Sequence, residues 1–155
     1  MSDDTAFVFG EDPDHPGWHS WRLSDNTRYN GFLGPLLVRR EGDHARVRMT
    51  PEHRHSNLSG AVHGGTTLGF IDVALFGASR VFGLIEAGTA VTLDLSVQFI
   101  GAGKTGMMME ADVELLRETR RLLFLRGLVT QGDEKVAAFS GTIRKATGST
   151  ENRSG

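Results

Sequence analysis

Asn57, the run His63-Gly64-Gly65 and Asp72 are the residues whose types and spacing point to chemistry. The histidine and glycines open a long apolar segment, so the first unpaired N–H groups of a helix there face whatever precedes it. Glycine at that point lets a ligand approach the main chain closely. Such a terminus suits developing negative charge, as on the oxygen of a carbonyl under attack. Asp72 comes nine residues after the histidine, about two and a half helical turns further on. A carboxylate inside an apolar helix is costly unless it is paired or used. Spacing alone leaves both uses open: a satisfied structural acid, or a catalytic base. Asn57 alone is an ordinary loop residue.

The elements that must carry these residues are readable from periodicity. Between His63 and Gly83, apolar residues such as Leu68, Phe70, Ile71, Leu75 and Phe76 occupy every side of a helical wheel. A helix of that kind is buried on all sides. Asp72 and Arg80 interrupt it, so it does not read as a membrane span, which needs ~20 apolar residues. From Thr89 the period becomes two. Val91, Leu93, Leu95, Val97 and Phe99 face one way, and Thr92, Asp94, Ser96 and Gln98 the other. Met107 to Leu115, Leu122 to Thr130 and Val136 to Lys145 continue as strands, and short polar connections make the four an antiparallel meander. Upstream, Asn30 to Val38 reads as a helical turn broken at Gly34-Pro35, Ala45 to Met49 as a strand, and Thr50 to Gly60 as a loop. One sheet covers an all-round apolar helix only by curling about it with help from a second copy. The expectation is an α+β wrap that dimerises. Residues 1–25, polar and anchored only by Trp18 and Trp21, read as an extended arm. Residues 26–145 read as a single domain, and 146–155 as a flexible tail.

Composition removes several classes of function. The chain has 155 residues, and its 17 Lys+Arg against 19 Asp+Glu leave a net charge of −2. Nucleic acid is a poor partner for that balance. No cysteine is present, which excludes disulfides, thiolate metal sites and a Cys nucleophile, and fits a cytoplasmic setting. The acidic start lacks a basic, then apolar, export signal. Gly101-Ala102-Gly103-Lys104-Thr105-Gly106 matches a dinucleotide fingerprint, but the next residues alternate as a strand instead of opening a helix, so it reads as a Gly-rich turn between neighbouring strands. His53, His55 and His63 lack a carboxylate to complete a metal set; the first two read as solvated loop histidines. No metal and no cofactor is expected. A G-x-S-x-G serine elbow is missing as well.

Asn57-x5-His63-Gly64-Gly65-x6-Asp72, with the strand Val91-Thr92-Leu93-Asp94-Leu95-Ser96-Val97-Gln98-Phe99 downstream, resembles the hotdog-fold acyl-CoA thioesterases. The similarity is to the branch of the phenylacetate-pathway (PaaI-like) enzymes, related to 4-hydroxybenzoyl-CoA thioesterases, and runs from about Phe32 to Lys145. The resemblance implies a water-dependent cleavage of acyl-CoA. In it the Gly65 N–H polarises the thioester carbonyl, and Asp72, reaching across a dimer interface, is general base or nucleophile. Asn57 and His63 orient the reacting groups, and Thr92 holds the attacking water. It further implies that Gly64, Lys104, Arg120 and Arg121 receive CoA, although on spacing alone the basic residues read first as solvated strand ends. A homodimer, and commonly a homotetramer, is implied too. Two rivals share the fold: a non-catalytic acyl-CoA-binding module, and a hydratase or dehydratase. The first has no need of a buried carboxylate, and the second places its histidine and acid differently.

Overall fold

The computed structural model describes residues 7–86 and 89–146. Its elements run β1 (Phe7–Glu11), β2 (His19–Leu23), α1 (Tyr29–Leu33), β3 (Leu36–Glu41), β4 (His44–Met49), α2 (Gly64–Val81), β5 (Val91–Phe99), β6 (Met109–Glu118), β7 (Leu122–Gln131) and β8 (Glu134–Arg144). All strands join one antiparallel sheet in the order β1-β2-β3-β4-β6-β7-β8-β5. The sheet curls about α2: a hotdog fold of α+β class.

The helix starts and stops for local reasons. His63 caps its N-terminus, its Nδ1 accepting the Gly65 N–H at 2.8 Å. At the other end Leu84 N–H reaches the Ser79 carbonyl and Gly83 N–H the Arg80 carbonyl. Gly83, at φ +76°, supplies the left-handed residue this double closure requires. Phe70, Ile71, Ala74, Leu75 and Ala78 are buried against Val38, Ala45, Val47, Met109, Ala111, Val113, Leu125 and Ile143 of the sheet. Truncating one such core leucine typically costs ~2–5 kcal/mol. Along the opposite side, Leu68, Asp72, Phe76 and Arg80 stay only partly covered. One chain thus leaves a stripe of an otherwise buried helix unfinished.

Several expectations change. The meander has three strands, β6-β7-β8, and β5 lies beyond β8 at the sheet edge. The Gly-rich segment after β5 is therefore a crossover linking strands that are not neighbours. Leu36 to Val38, expected in a helical turn, begins β3: Gly34 at φ +85° ends α1 and redirects the chain. The expected arm is a hairpin: β1 pairs with β2, and β2 extends the sheet beside β3. Trp18 and Trp21 are buried, Trp18 beneath the guanidiniums of Arg39 and Arg48, and Trp21 against the helix at Gly77. The hairpin docks because those two rings are too large to leave wet. Of the expected tail, residues 147–155 lie outside the described residues.

The outer face of the sheet is polar and cross-linked. Arg46 donates to Glu41 at 2.6 Å and to Glu110 at 2.5 Å, and Arg48 to Glu110 at 2.6 Å. These guanidiniums let Glu110 be buried, and the hydrogen bond from Arg46 holds the Glu41 carboxyl below its ordinary range.

Candidate active site

The expected residues assemble in two groups, one at the N-terminus of α2 and one around Asp72, midway along it. The first surrounds its N-terminus. Asn57 Oδ1 accepts from Ser59 N–H, Ser59 Oγ and Ala61 N–H at 2.8–3.1 Å, which shapes the loop and leaves the amide nitrogen's donors without an acceptor among the described residues. His63 Nδ1 accepts from Gly65, so the neutral ring carries its proton on Nε2. That bond changes the identity of the free donor. The Gly65 N–H is engaged, whereas the Gly64 N–H has no acceptor among the described residues. The aromatic ring of Phe99, at the far end of β5, lies close enough to touch a side chain at Gly64. Asn57 and His63 share an open depression with His53 and Ser56.

Lys104 belongs to this end. Ala61 bridges to Lys104, and Val62 N–H donates to the Gly103 carbonyl at 2.9 Å, so the Gly-rich crossover lies against the loop entering α2. Gln131, nearly fully buried, holds that crossover by accepting from Lys104 N–H at 2.7 Å and donating to the Lys104 and Met107 carbonyls. Sequence reasoning missed Gln131, because a polar residue before a hairpin turn looks like any other. His55 was expected in solvent and is buried instead. Its Nδ1 accepts from Glu52 N–H and its Nε2 donates to the Phe32 carbonyl at 2.6 Å, tying the loop to α1.

The second group surrounds Asp72. Thr92 Oγ1 donates to Asp72 Oδ1 at 2.6 Å within the same chain. Strict alternation along β5 would turn Thr92 away from Leu95 and Val97. A β-bulge between Thr92 and Asp94 breaks that alternation, so Thr92 stands opposite Ile143 as Leu95 stands opposite Gly141, on the helix side. Asp72 lines a cavity of about 220 Å³ with Phe7, Trp21, Phe76 and Arg80. Arg120 and Arg121 belong to this end as well. They come after β6 and precede Leu122, which pairs with Arg144, which in turn pairs with Val91 beside Thr92. Both are exposed, and β6 puts roughly 30 Å between them and Lys104.

A family model described as the thioesterase superfamily matches residues 59–138. The chain belongs to the thioesterase superfamily. It is 27% identical over 113 residues to the Pseudomonas aeruginosa protein named "Putative esterase PA0474", covering 72% of this chain and 84% of that one. Among solved structures it is similar to a point mutant of the phenylacetic acid degradation protein PaaI from Thermus thermophilus, with a TM-score of 0.62 and 28% identity. That match spans 73% of this chain and 94% of PaaI. A hypothetical thioesterase from Streptococcus pneumoniae, solved with coenzyme A, shares the fold at 19% identity and a TM-score of 0.63, over 72% and 85% of the chains. Membership of that superfamily supports a thioesterase-type activity. Among its described residues no group of three or more His, Asp or Glu is placed to hold a metal, and no helix is long and apolar enough to cross a membrane.

Proposed function

We propose that this protein is an acyl-CoA thioesterase whose active site is shared between two copies of the chain. One observation carries the reading: the free donor and the carboxylate cannot meet within one chain. Gly64 and Asp72 are eight residues apart on a straight helix, about 12 Å along its axis. An attacked carbonyl needs its oxyanion donor and the base within about 3 Å of neighbouring atoms. A second copy resolves this. β5 is a sheet edge whose Val91, Leu93 and Phe99 are about half exposed, an edge that invites another strand. Pairing β5 antiparallel with its own copy about Leu95 sets the Phe99 end of one chain against the Thr92 end of the other. Gly64 rides on the first end and Asp72 on the second. Lys104 of one copy then approaches Arg120 and Arg121 of the other, which suits the phosphates of a single CoA. A tetramer would combine two such dimers, acting in the cytoplasm.

The reaction follows from those placements. The thioester carbonyl oxygen accepts from the Gly64 N–H and the Asn57 amide. His63 keeps the Gly65 N–H turned aside, so that the Gly64 N–H leads the helix. A water held by Thr92 attacks the carbonyl carbon while Asp72 takes its proton. The tetrahedral oxyanion then collapses, the C–S bond breaks, and the sulfur leaves with CoA as the proton returns to it. A carboxylic acid and free CoA result.

The test is complementation. Asp72→Asn and Asn57→Ala variants, each well below the parent in activity alone, are mixed, unfolded and refolded together. Random pairing makes half the dimers mixed, with one intact site in each, so activity returns to about a quarter of the parent. Thiol release is followed over a panel of acyl-CoAs. A fully active monomer in light scattering, or a mixture no better than its parts, overturns the shared site.

A further inference from the structure

The Asp72 cavity has a second charged group that takes no part in the hydrolysis itself. Asp72, Phe76 and Arg80 succeed one another at four-residue intervals along one side of α2, and all three line the cavity. Phe7 and Trp21, stacked 6.2 Å apart at an interplanar angle of 11°, wall it from the N-terminal hairpin. These two residues precede the segment that matches the family model. Arg80 is half-buried, and the ring of Phe9 lies 5.4 Å from its guanidinium carbon. Among the described residues the guanidinium makes no ion pair and donates no hydrogen bond. Glu86 reaches the same cavity, is exposed, and does not pair with it.

A half-buried guanidinium with donors that no acceptor among the described residues uses, at the end of an aromatic-walled cavity, is open to an acceptor carried by a ligand. The fork geometry favours a planar carboxylate over a single oxygen. We infer that this cavity takes the acyl group, and that Arg80 selects acyl chains ending in a carboxylate, namely monothioesters of dicarboxylic acids. The inference rests on the thioesterase reading for the position of the reacting carbonyl at Asp72. Length follows from the helix. Asp72 and Arg80 are separated by about 12 Å of rise; the water between Asp72 and the carbonyl and the contact at Arg80 take up much of it at ~3 Å a step, and the flexible Arg80 side chain adjusts the rest, which suits an acyl chain of about four to six carbons. Phe7, Trp21 and Phe76 contact its methylenes. The exposed Glu86 carboxylate is screened by water and weighs little against a direct pair with Arg80.

The test compares adipyl-CoA with hexanoyl-CoA, which differ only at the chain end. The wild-type protein is expected to favour adipyl-CoA in kcat/KM by tenfold or more. Arg80→Met should lower that ratio by roughly tenfold to hundredfold, the cost of losing a charge-assisted contact, and Arg80→Lys should keep part of it. A role in packing alone would lower both activities and leave the ratio unchanged, which overturns the inference. So does a wild-type protein that hydrolyses hexanoyl-CoA and ignores adipyl-CoA, while leaving the thioesterase reading intact. If no thioester is hydrolysed, that reading fails by itself. Calorimetric titration with the non-hydrolysable thioether analogues of the two substrates then decides: Arg80-dependent preference for the adipyl analogue supports the pocket, and equal binding overturns it.

Discussion

The N-terminus of α2 and the region around Asp72, midway along the helix, are built on opposite principles. At the N-terminal end the functional groups are mostly main-chain or loop amides, exposed and locally held: Asn57 by its own turn, Gly64 by the cap that His63 provides. At the second site, midway along the helix, a side-chain carboxylate is half-buried, paired with Thr92 across a bulged strand, and enclosed by rings from a hairpin some fifty residues earlier in the chain. The first end depends on local sequence. The second depends on tertiary packing. In the proposed reaction the donor end stabilises charge on the carbonyl oxygen, whereas the carboxylate end sets where proton transfer happens and what acyl group fits. Substitutions should therefore fail differently at the two ends.

The largest difference is expected at Asp72. Asp72→Asn keeps an oxygen that can still accept from Thr92, so the fold should hold and the melting temperature should move little. Loss of a general base typically costs ~10²–10⁴ in rate. Turnover of the best CoA thioester by the purified variant at the parent rate would remove Asp72 from the chemistry. The matching change at the donor end, Asn57→Ala, removes one of two donors and also the acceptor that shapes residues 57–61. Its rate loss should be smaller, with the loop disturbed.

The next contrast is in stability. Trp21→Ala removes a buried ring that packs against the helix at Gly77 and stacks on Phe7. Large-to-small changes of this kind cost ~3–5 kcal/mol. Denaturant midpoints should show that loss for Trp21→Ala and less than ~1 kcal/mol for Leu58→Ala, a fully exposed residue at the donor end. Equal losses would mean that the hairpin does not support the carboxylate end.

The same contrast explains what the sequence made legible. The helix, the strands β5 to β8, and the Asn57–His63–Asp72 spacing were visible because they rest on periodicity and on short-range motifs. The position of β5 at the edge was not, since a crossover and a tight turn both look like a run of glycines. The bulge at Leu93 leaves no mark in an alternating sequence, so the side to which Thr92 turns could not be read from it. The hairpin was hidden because Phe7 and Trp21 find their partners only in the folded sheet. The family resemblance implies Gly65 as the donor, and the contact of its N–H with the His63 ring is a side-chain geometry that no spacing reveals. At the carboxylate end most of the missing information was long-range.

The smallest expected effects come from the nucleotide contacts, and they test whether the ends of two copies combine. Lys104 sits at the donor end and Arg120 at the carboxylate end, roughly 30 Å apart in one chain. One CoA cannot touch both unless they come from different copies. The net charge of −2 gives the protein no general attraction for an anionic cofactor tail, so binding depends on such local cations. Exposed phosphate contacts act mainly on ground-state binding and weaken with salt. Lys104→Ala and Arg120→Ala should each raise KM for CoA thioesters by roughly two- to tenfold with kcat little changed. Both effects should shrink together with a truncated thioester that lacks the nucleotide. If only one of the two variants discriminates between full and truncated substrates, the nucleotide lies against a single end, and antiparallel pairing of β5 about Leu95 is the wrong register. If both discriminate, two groups too far apart in one chain are reading one ligand, and the N-terminus of α2 in one copy works with the Asp72 site of the other.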